Sequence, residues 1–147
     1  MIFVDIAIAV LAFLAIFIFV GIRLLRLYIL KKADTVTPLE LDSLLKSGKD
    51  VVLVDIRNAG SFNGLLGHID GSVNIPFSAL EKTLKDKELA DFYDVCIVII
   101  DDTDTFSGLA FYNRLKSTGF NDTVLLLGGL ASWIKHKLPT IRGEEEK

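Results

Sequence analysis

The sequence predicts an α/β domain, built on a parallel sheet with helices on both faces and preceded by one membrane-spanning helix. Three observations carry this reading. The runs "VVLVD" (Val51–Asp55), "VCIVII" (residues 95–100) and "VLLL" (residues 124–127) are aliphatic and rich in β-branched side chains, without polar alternation. Strands covered on both faces have that pattern. Amphipathic stretches follow two of them directly, at residues 107–116 and 130–137, and a third lies at residues 78–85. Ahead of everything, residues 1–22 carry a single charge, Asp5.

At about 1.5 Å per residue the leading stretch reaches roughly 33 Å, enough to cross a hydrocarbon core. A cleaved signal peptide would need a basic n-region, a shorter apolar centre and a small-residue cleavage site. Here the basic residues Arg23, Arg26, Lys31 and Lys32 all follow the apolar run. Arg23 and Arg26 can snorkel and Tyr28 suits the interface, so residues 24–30 are expected to carry the helix through the headgroups. The positive-inside rule then puts the N-terminus outside and the C-terminal domain in the cytoplasm. Asp5, near the outer end, is expected to reach water, the alternative being a polar group on a partner helix.

Charge is unevenly divided. Residues 1–32 total +3 in a chain of net charge −3, which leaves −6 for the remainder. Such a domain is unsuited to nucleic acid, and none is expected as a partner. The chain has one cysteine, Cys96, which excludes an internal disulfide and a cysteine-rich zinc site and agrees with a reducing compartment.

Residues 33–36 read as a linker. In "TPLELDSLLKSG", Thr37 is placed as N-cap, Pro38 at the first helical position and Glu40 as its capping-box partner, with Gly48 as the stop. The strand at Val51–Asp55 follows. A weaker strand, "SVNIP", comes after the turn at Asp70 and Gly71. The domain is expected to close near Pro139, and residues 140–147 read as a solvated acidic tail. There are no internal repeats and no low-complexity tracts.

In a parallel sheet every strand delivers its C-terminal end to one rim, where ligands usually bind. Arg57, the loop at residues 101–106 and the pair Gly128 and Gly129 should converge there.

These residues also carry a resemblance. "VVLVDIRNAGSFNGLLGHIDGSVNIPFSAL" is similar to the first half of a rhodanese-like domain: Asp55 and Arg57 match its D-x-R signature, and Gly67 to Pro76 its G-H-I turn and following strand. "VCIVII…SGLAFYNRLKSTGFNDTVLLLGGLASW" resembles the second half, with its active-site loop, helix, Gly-Phe turn and G-G-x-x-x-W ending. The ordered set spans residues 37–139. Each motif alone is weak, but their order is specific.

The loop departs from the family. In active relatives the strand ends in a nucleophilic cysteine, followed by a basic residue, a glycine and an arginine before a serine. The resemblance lays the cysteine on Asp101, the basic residue on Asp102, the glycine on Asp104 and the arginine on Phe106; only Ser107 matches. The span keeps the length of the sulfurtransferase loop rather than the longer loop of related dual-specificity phosphatases. Sulfur transfer runs through a thiolate that becomes a persulfide, and a carboxylate cannot hold a sulfane sulfur in that way. Three carboxylates at a helix N-terminus also complement its dipole themselves and repel anions. Cys96 lies five residues upstream, within the strand, where a buried free cysteine is the ordinary expectation.

The same residues suggest other chemistry. "DDTDTF" has the D-x-D of the aspartyl-phosphatase signature at Asp102 and Asp104, but the threonine comes one place early, at Thr105. Asp101, Asp102 and Asp104 could offer oxygens to a hard cation, although a solvated acidic turn is the simpler reading, and neither metal nor cofactor is expected. Ser107, His68 and Asp55 form no triad by this reading, since His68 belongs to the turn and Ser107 is assigned to helix capping. His136 is expected to be exposed. Trp133 and Phe120 are expected in the core. The resemblance implies that Asp55 and Arg57 tie loops beneath the rim.

The expectation is a membrane-tethered, catalytically inactive interaction or accessory module, partnered by a membrane protein or protein complex and by the bilayer. Asp101, Asp102, Asp104 and Phe106 are its expected recognition surface, together with Arg57, Gly128 and Gly129, and Phe106 is its apolar anchor. The alternative is an enzyme with residual sulfurtransferase or aspartate/metal-dependent hydrolase activity.

Overall fold

The computed structural model describes residues 2–143, and the acidic run at 144–147 lies outside them. The chain divides into two compact units, residues 1–32 and 33–147.

The first unit is a single helix, α1 (Ile2–Leu30). Within it Ile6–Leu24 is long and apolar enough to cross a membrane. Its described aliphatic and aromatic side chains, Ile8, Phe13, Phe17 and Phe19 among them, are exposed. A helix that is apolar on all sides has no polar face to turn to water.

The second unit is a five-stranded sheet in the order β1-β5-β4-β2-β3, with every pair parallel. Its strands are β1 (Thr35–Val36), β2 (Val51–Asp55), β3 (Val73–Asn74), β4 (Cys96–Ile100) and β5 (Thr123–Leu126). The unbroken apolar runs have the predicted cause, since alternate side chains of β4 enter different cores. Ile97 and Ile99 pack with Val54, Phe111, Leu115 and Phe120 on one face. Val98 and Ile100 pack with Leu41, Leu126, Leu130 and Trp133 on the other.

The helices are α2 (Pro38–Lys46), α3 (Ala59–Phe62), α4 (Leu80–Lys85), α5 (Phe106–Ser117) and α6 (Gly129–Lys135). α2 starts as its sequence dictates: the Thr37 side chain accepts from the Glu40 amide, and Glu40 returns the contact to the Thr37 backbone. Gly48 follows at φ +68.

Several boundaries differ from expectation for tertiary reasons. The presumed linker at residues 33–36 contains β1, paired with β5 at Thr35↔Leu125 and Val36↔Leu126. Two residues are too few to show a period, so only the partner strand reveals this one. The segment at 78–85 opens as a 3-10 turn, Phe77–Ala79, before α4. α6 stops at Lys135, and Lys137 takes φ +58. The presumed solvated tail begins as structure: Ile141 and His68 exchange backbone hydrogen bonds of 2.9 Å each way, and Trp133 Nε1 donates to the Pro139 carbonyl at 2.8 Å. Gly67 permits that closure, because a Cβ at its φ of +64 would overlap the Ile141 carbonyl oxygen.

Candidate functional site

The C-terminal ends of β2, β4 and β5 bring together the three rim segments named from the sequence. Below the rim sits a fully buried ion pair. Arg57 donates from Nε and Nη2 to the Asp55 carboxylate at 3.0 and 2.7 Å. Its remaining donors reach the Gly67 carbonyl at 2.8 Å and the Ser61 carbonyl at 3.3 Å. Asn74 adds a brace from the neighbouring strand, donating to the backbone carbonyls of Asp55 and Arg57 at 3.0 and 2.8 Å. Arg57 is only 3 % exposed, so its charge serves the loop at residues 58–67 and not the solvent. Buried charges persist when paired and hydrogen-bonded in this way.

His68 lies against this loop, wholly buried, with its ring stacked on Phe62 at 3.7 Å and Nδ1 3.0 Å from the Phe62 carbonyl. Ser107 is exposed on the first turn of α5, and no triad with His68 and Asp55 forms. His136 is exposed, whereas Trp133 and Phe120 are core.

The loop after β4 closes on itself. The Asp101 carboxylate accepts the Asp102 amide at 2.8 Å and, through its other oxygen, the Thr105 hydroxyl. Thr105 in turn accepts the Gly108 amide at 3.0 Å, which makes it the N-cap of α5. This corrects the assignment of that role to Ser107. The sequence signal for the cap is a threonine three residues before Gly108, and it belongs to a helix that begins at Phe106 and not at residue 107.

The loop is also pinned from the other side. Leu130 and Ala131, in the first turn of α6, donate to the carbonyls of Asp101 and Asp102 at 2.8 and 3.0 Å. The Gly128 amide donates to Asp104 Oδ1 at 2.6 Å. Gly129, at φ +58, lies so close that a Cβ would overlap the Asp101 carbonyl oxygen. Residues 128, 130 and 131 are therefore hydrogen-bonded to Asp104, Asp101 and Asp102, with Gly129 in close contact between them. Asp102 projects outward, with one oxygen 3.8 Å from Arg57 Nη1. Phe106, the first residue of α5, is exposed. The three carboxylates are thus directed at different donors, and among the described residues no three His, Cys, Asp or Glu side chains gather as metal ligands.

Cys96 lies at the opposite end of β4, about 13 Å from the rim at 3.3 Å per residue. Burial first, and then the neighbouring Asp122 carboxylate, push its thiol up to about 11. Little of it is thiolate near neutrality.

With this geometry the family can be assigned. The pattern of the rhodanese-like domain matches residues 37–136. The chain belongs to the rhodanese-like domain family. It is 33% identical over 108 residues to a probable adenylyltransferase/sulfurtransferase, MoeZ of Mycobacterium tuberculosis, covering 74% of this chain and 26% of that protein. This rhodanese-like chain thus spans about a quarter of that relative's length. It is 31% identical over 116 residues to YibN, an uncharacterized protein of Escherichia coli K12, covering 77% of this chain and 76% of YibN. In fold it is similar to the thiosulfate sulfurtransferase of Pseudomonas aeruginosa, with a TM-score of 0.66 at 18% identity over 77% of this chain and 21% of that one.

Proposed function

We propose that the protein is a membrane-tethered rhodanese-like module that binds a protein partner through its rim and does not itself transfer sulfur. The observation that carries this reading is the Asp101 carboxylate. It occupies the place the family resemblance gives to the nucleophilic cysteine, and it takes up an amide and a hydroxyl of the loop for itself. A negative group is therefore already seated at the start of α5, where an anionic donor would have to bind. A carboxylate there has no route to a persulfide. The sole cysteine, at the other end of β4 and with a raised thiol pKa, is a poor substitute.

In this reading α1 crosses the membrane, with the N-terminus outside and the rhodanese-like domain in the cytoplasm, as the trailing Arg23, Arg26, Lys31 and Lys32 favour. The partner is a membrane protein or protein complex. The exposed Phe106, first residue of α5 after the acidic loop, supplies an apolar anchor in an acidic segment, a combination suited to a basic surface.

Two assays test the reading on the full-length protein in mild detergent. Thiosulfate and cyanide should yield no thiocyanate above the uncatalysed rate, and sustained turnover would restore the sulfurtransferase alternative. Partners retained from native membranes should be lost when Asp102 and Phe106 are replaced by Asn and Ala. Retention by that variant would move the interface off the rim.

A further inference from the structure

The sheet ends at β3, an edge strand two residues long that pairs with β2 at Val54↔Val73 and Asp55↔Asn74. At this margin the first core is not filled. A cavity of about 310 Å³ lies between β2, β3, α4 and the 3-10 turn at Ala90–Phe92, with apolar walls from Val54, Ile75, Leu89 and Phe92. Its origin is local. Ala79 and Thr83, four residues apart and so on one side of the helical turn, are both small and line the space, whereas Leu80 and Leu84 pack into the core. The volume stands at the lower end of small-molecule sites, which run from about 300 to 1,000 Å³. The clamp from Arg114 to the Glu81 carboxylate, at 2.7 and 2.9 Å, ties α4 to α5.

One polar group inside this space stands out. Thr83 is only 5 % exposed. Hydroxyls elsewhere in the domain's helices turn back onto the chain: Ser43 of α2 and Ser117 of α5 donate to the carbonyls of Leu39 and Arg114 at 2.9 and 2.8 Å. Thr123, likewise buried, donates to the Phe120 carbonyl at 2.8 Å. Among the described residues the Thr83 hydroxyl has no such partner. A buried hydroxyl left this way costs free energy until something bonds to it. Asn74, also in the wall, has its nitrogen committed to the carbonyls of Asp55 and Arg57 at 3.0 and 2.8 Å. Water is held well only by two to four polar partners, so a largely apolar space with one interior hydroxyl suits an organic ligand better.

We infer that this cavity binds a small uncharged molecule with an apolar body and one hydroxyl or carbonyl group, which bonds to Thr83. A threonine hydroxyl can donate and accept, so either group serves. Charge is selected against for two reasons. Lys82 and Glu88 also line the cavity and both are exposed, and their opposite signs give no net attraction to a ligand of either charge. The apolar walls penalise a charge carried inside. The site shares no residue with the rim of Arg57, residues 101–106 and the two glycines.

The test titrates 4-methylphenol, toluene and 4-methylbenzoate into the full-length chain in lipid nanodiscs, read by the methyl resonances of isotope-labelled Ile, Leu and Val. 4-Methylphenol should shift Ile75 and Leu89 saturably and leave Leu41 and Leu126, in the other core, unmoved. 4-Methylbenzoate, of similar shape but charged, should bind about tenfold more weakly or worse. Thr83→Val keeps the shape and removes the hydroxyl. It should weaken 4-methylphenol about three- to tenfold and leave toluene, which has no hydroxyl, unchanged. Ala79→Leu fills the space and should abolish the binding of both. Shifts that do not saturate, or that spread equally to Leu41 and Leu126, overturn the site, as does equal binding of 4-methylphenol to the wild type and Thr83→Val. Without ligand, Thr83→Val should melt no lower than the wild type. A clear fall would show that the hydroxyl is already bonded within the fold, and overturns the argument for a ligand.

Discussion

The loops that leave β2 and β4 start side by side on adjacent strands, yet they are closed by opposite means. The first is tied from within by Arg57, a fully buried cation shared among the Asp55 carboxylate and the carbonyls of Ser61 and Gly67. The second is closed by carboxylates, with Asp101 and Asp104 taking the amides of Asp102 and Gly128. The contrast teaches which of the two can change without unfolding the domain. Removing a buried charge strands its partner in low dielectric, whereas a half-exposed carboxylate that is lost leaves amides which water can reach. In this chain the β2 loop therefore rests on the buried Asp55–Arg57 pair, and the β4 loop on half-exposed carboxylates.

The sharpest way to break this comparison is Arg57→Ala. Leaving Asp55 buried without its partner should cost about 3–5 kcal/mol. Urea unfolding of the detergent-solubilised protein reads this through Trp133, the one tryptophan, which is buried in the core. A loss below about 1 kcal/mol, the scale of an exposed pair, would show that the β2 loop does not depend on the buried charge.

Gly129→Ala comes next. It places a Cβ against the Asp101 carbonyl at a backbone conformation that side chains disfavour, and a loss of about 1–3 kcal/mol is expected in the same unfolding experiment. Hydrogen exchange should also speed up at the Leu130 and Ala131 amides, since these hold the second loop. Unchanged protection would mean that the two segments are not coupled.

Thr105→Ala removes the cap of α5 and the hydroxyl that Asp101 accepts, for about 1 kcal/mol. Thr105→Ser, which keeps the hydroxyl, should restore most of it. The order Arg57, Gly129, Thr105 is the comparison in energetic form, and an inverted order would refute it.

The smallest effect lies outside both loops and concerns an exposed carboxylate. The hydrogen bond from Lys116, and then that from Tyr112, holds Asp34 below the usual aspartate range. Its folded value is thus lower than its unfolded one, so its contribution is complete above the unfolded value, about 3.9, and fades as pH falls through the folded value. The melting temperatures of the wild type and Tyr112→Phe should therefore differ most near neutrality and converge in acid. Divergence on acidification would reverse the sign assigned to Asp34.

Much of this molecule is legible without coordinates. The long strands declare themselves because a strand buried on both faces must be apolar along its length, and residues 51–54 and Cys96–Ile100 are. The start of α2 is legible because Thr37, Pro38 and Glu40 complete a local motif within one turn. The membrane-length helix follows from composition alone. The convergence of Arg57, the acidic loop and the two glycines follows from parallel topology, which the unbroken apolar runs imply.

What the tertiary structure decided is whatever rests on a partner distant in sequence. β1 is two residues long and exists because β5 pairs with it. The segment at 139–142 is ordered by His68 and Trp133, residues its own composition does not announce. The role of Gly129 depends on a carbonyl 28 positions away, at Asp101. The inward turn of Asp101, from which the functional reading follows, depends on where the Thr105 hydroxyl comes to rest. Local patterns fix which segments are helix or strand, because those preferences act within a few residues. Contacts between distant segments decide which side chains meet, because only the folded chain brings them within hydrogen-bonding distance.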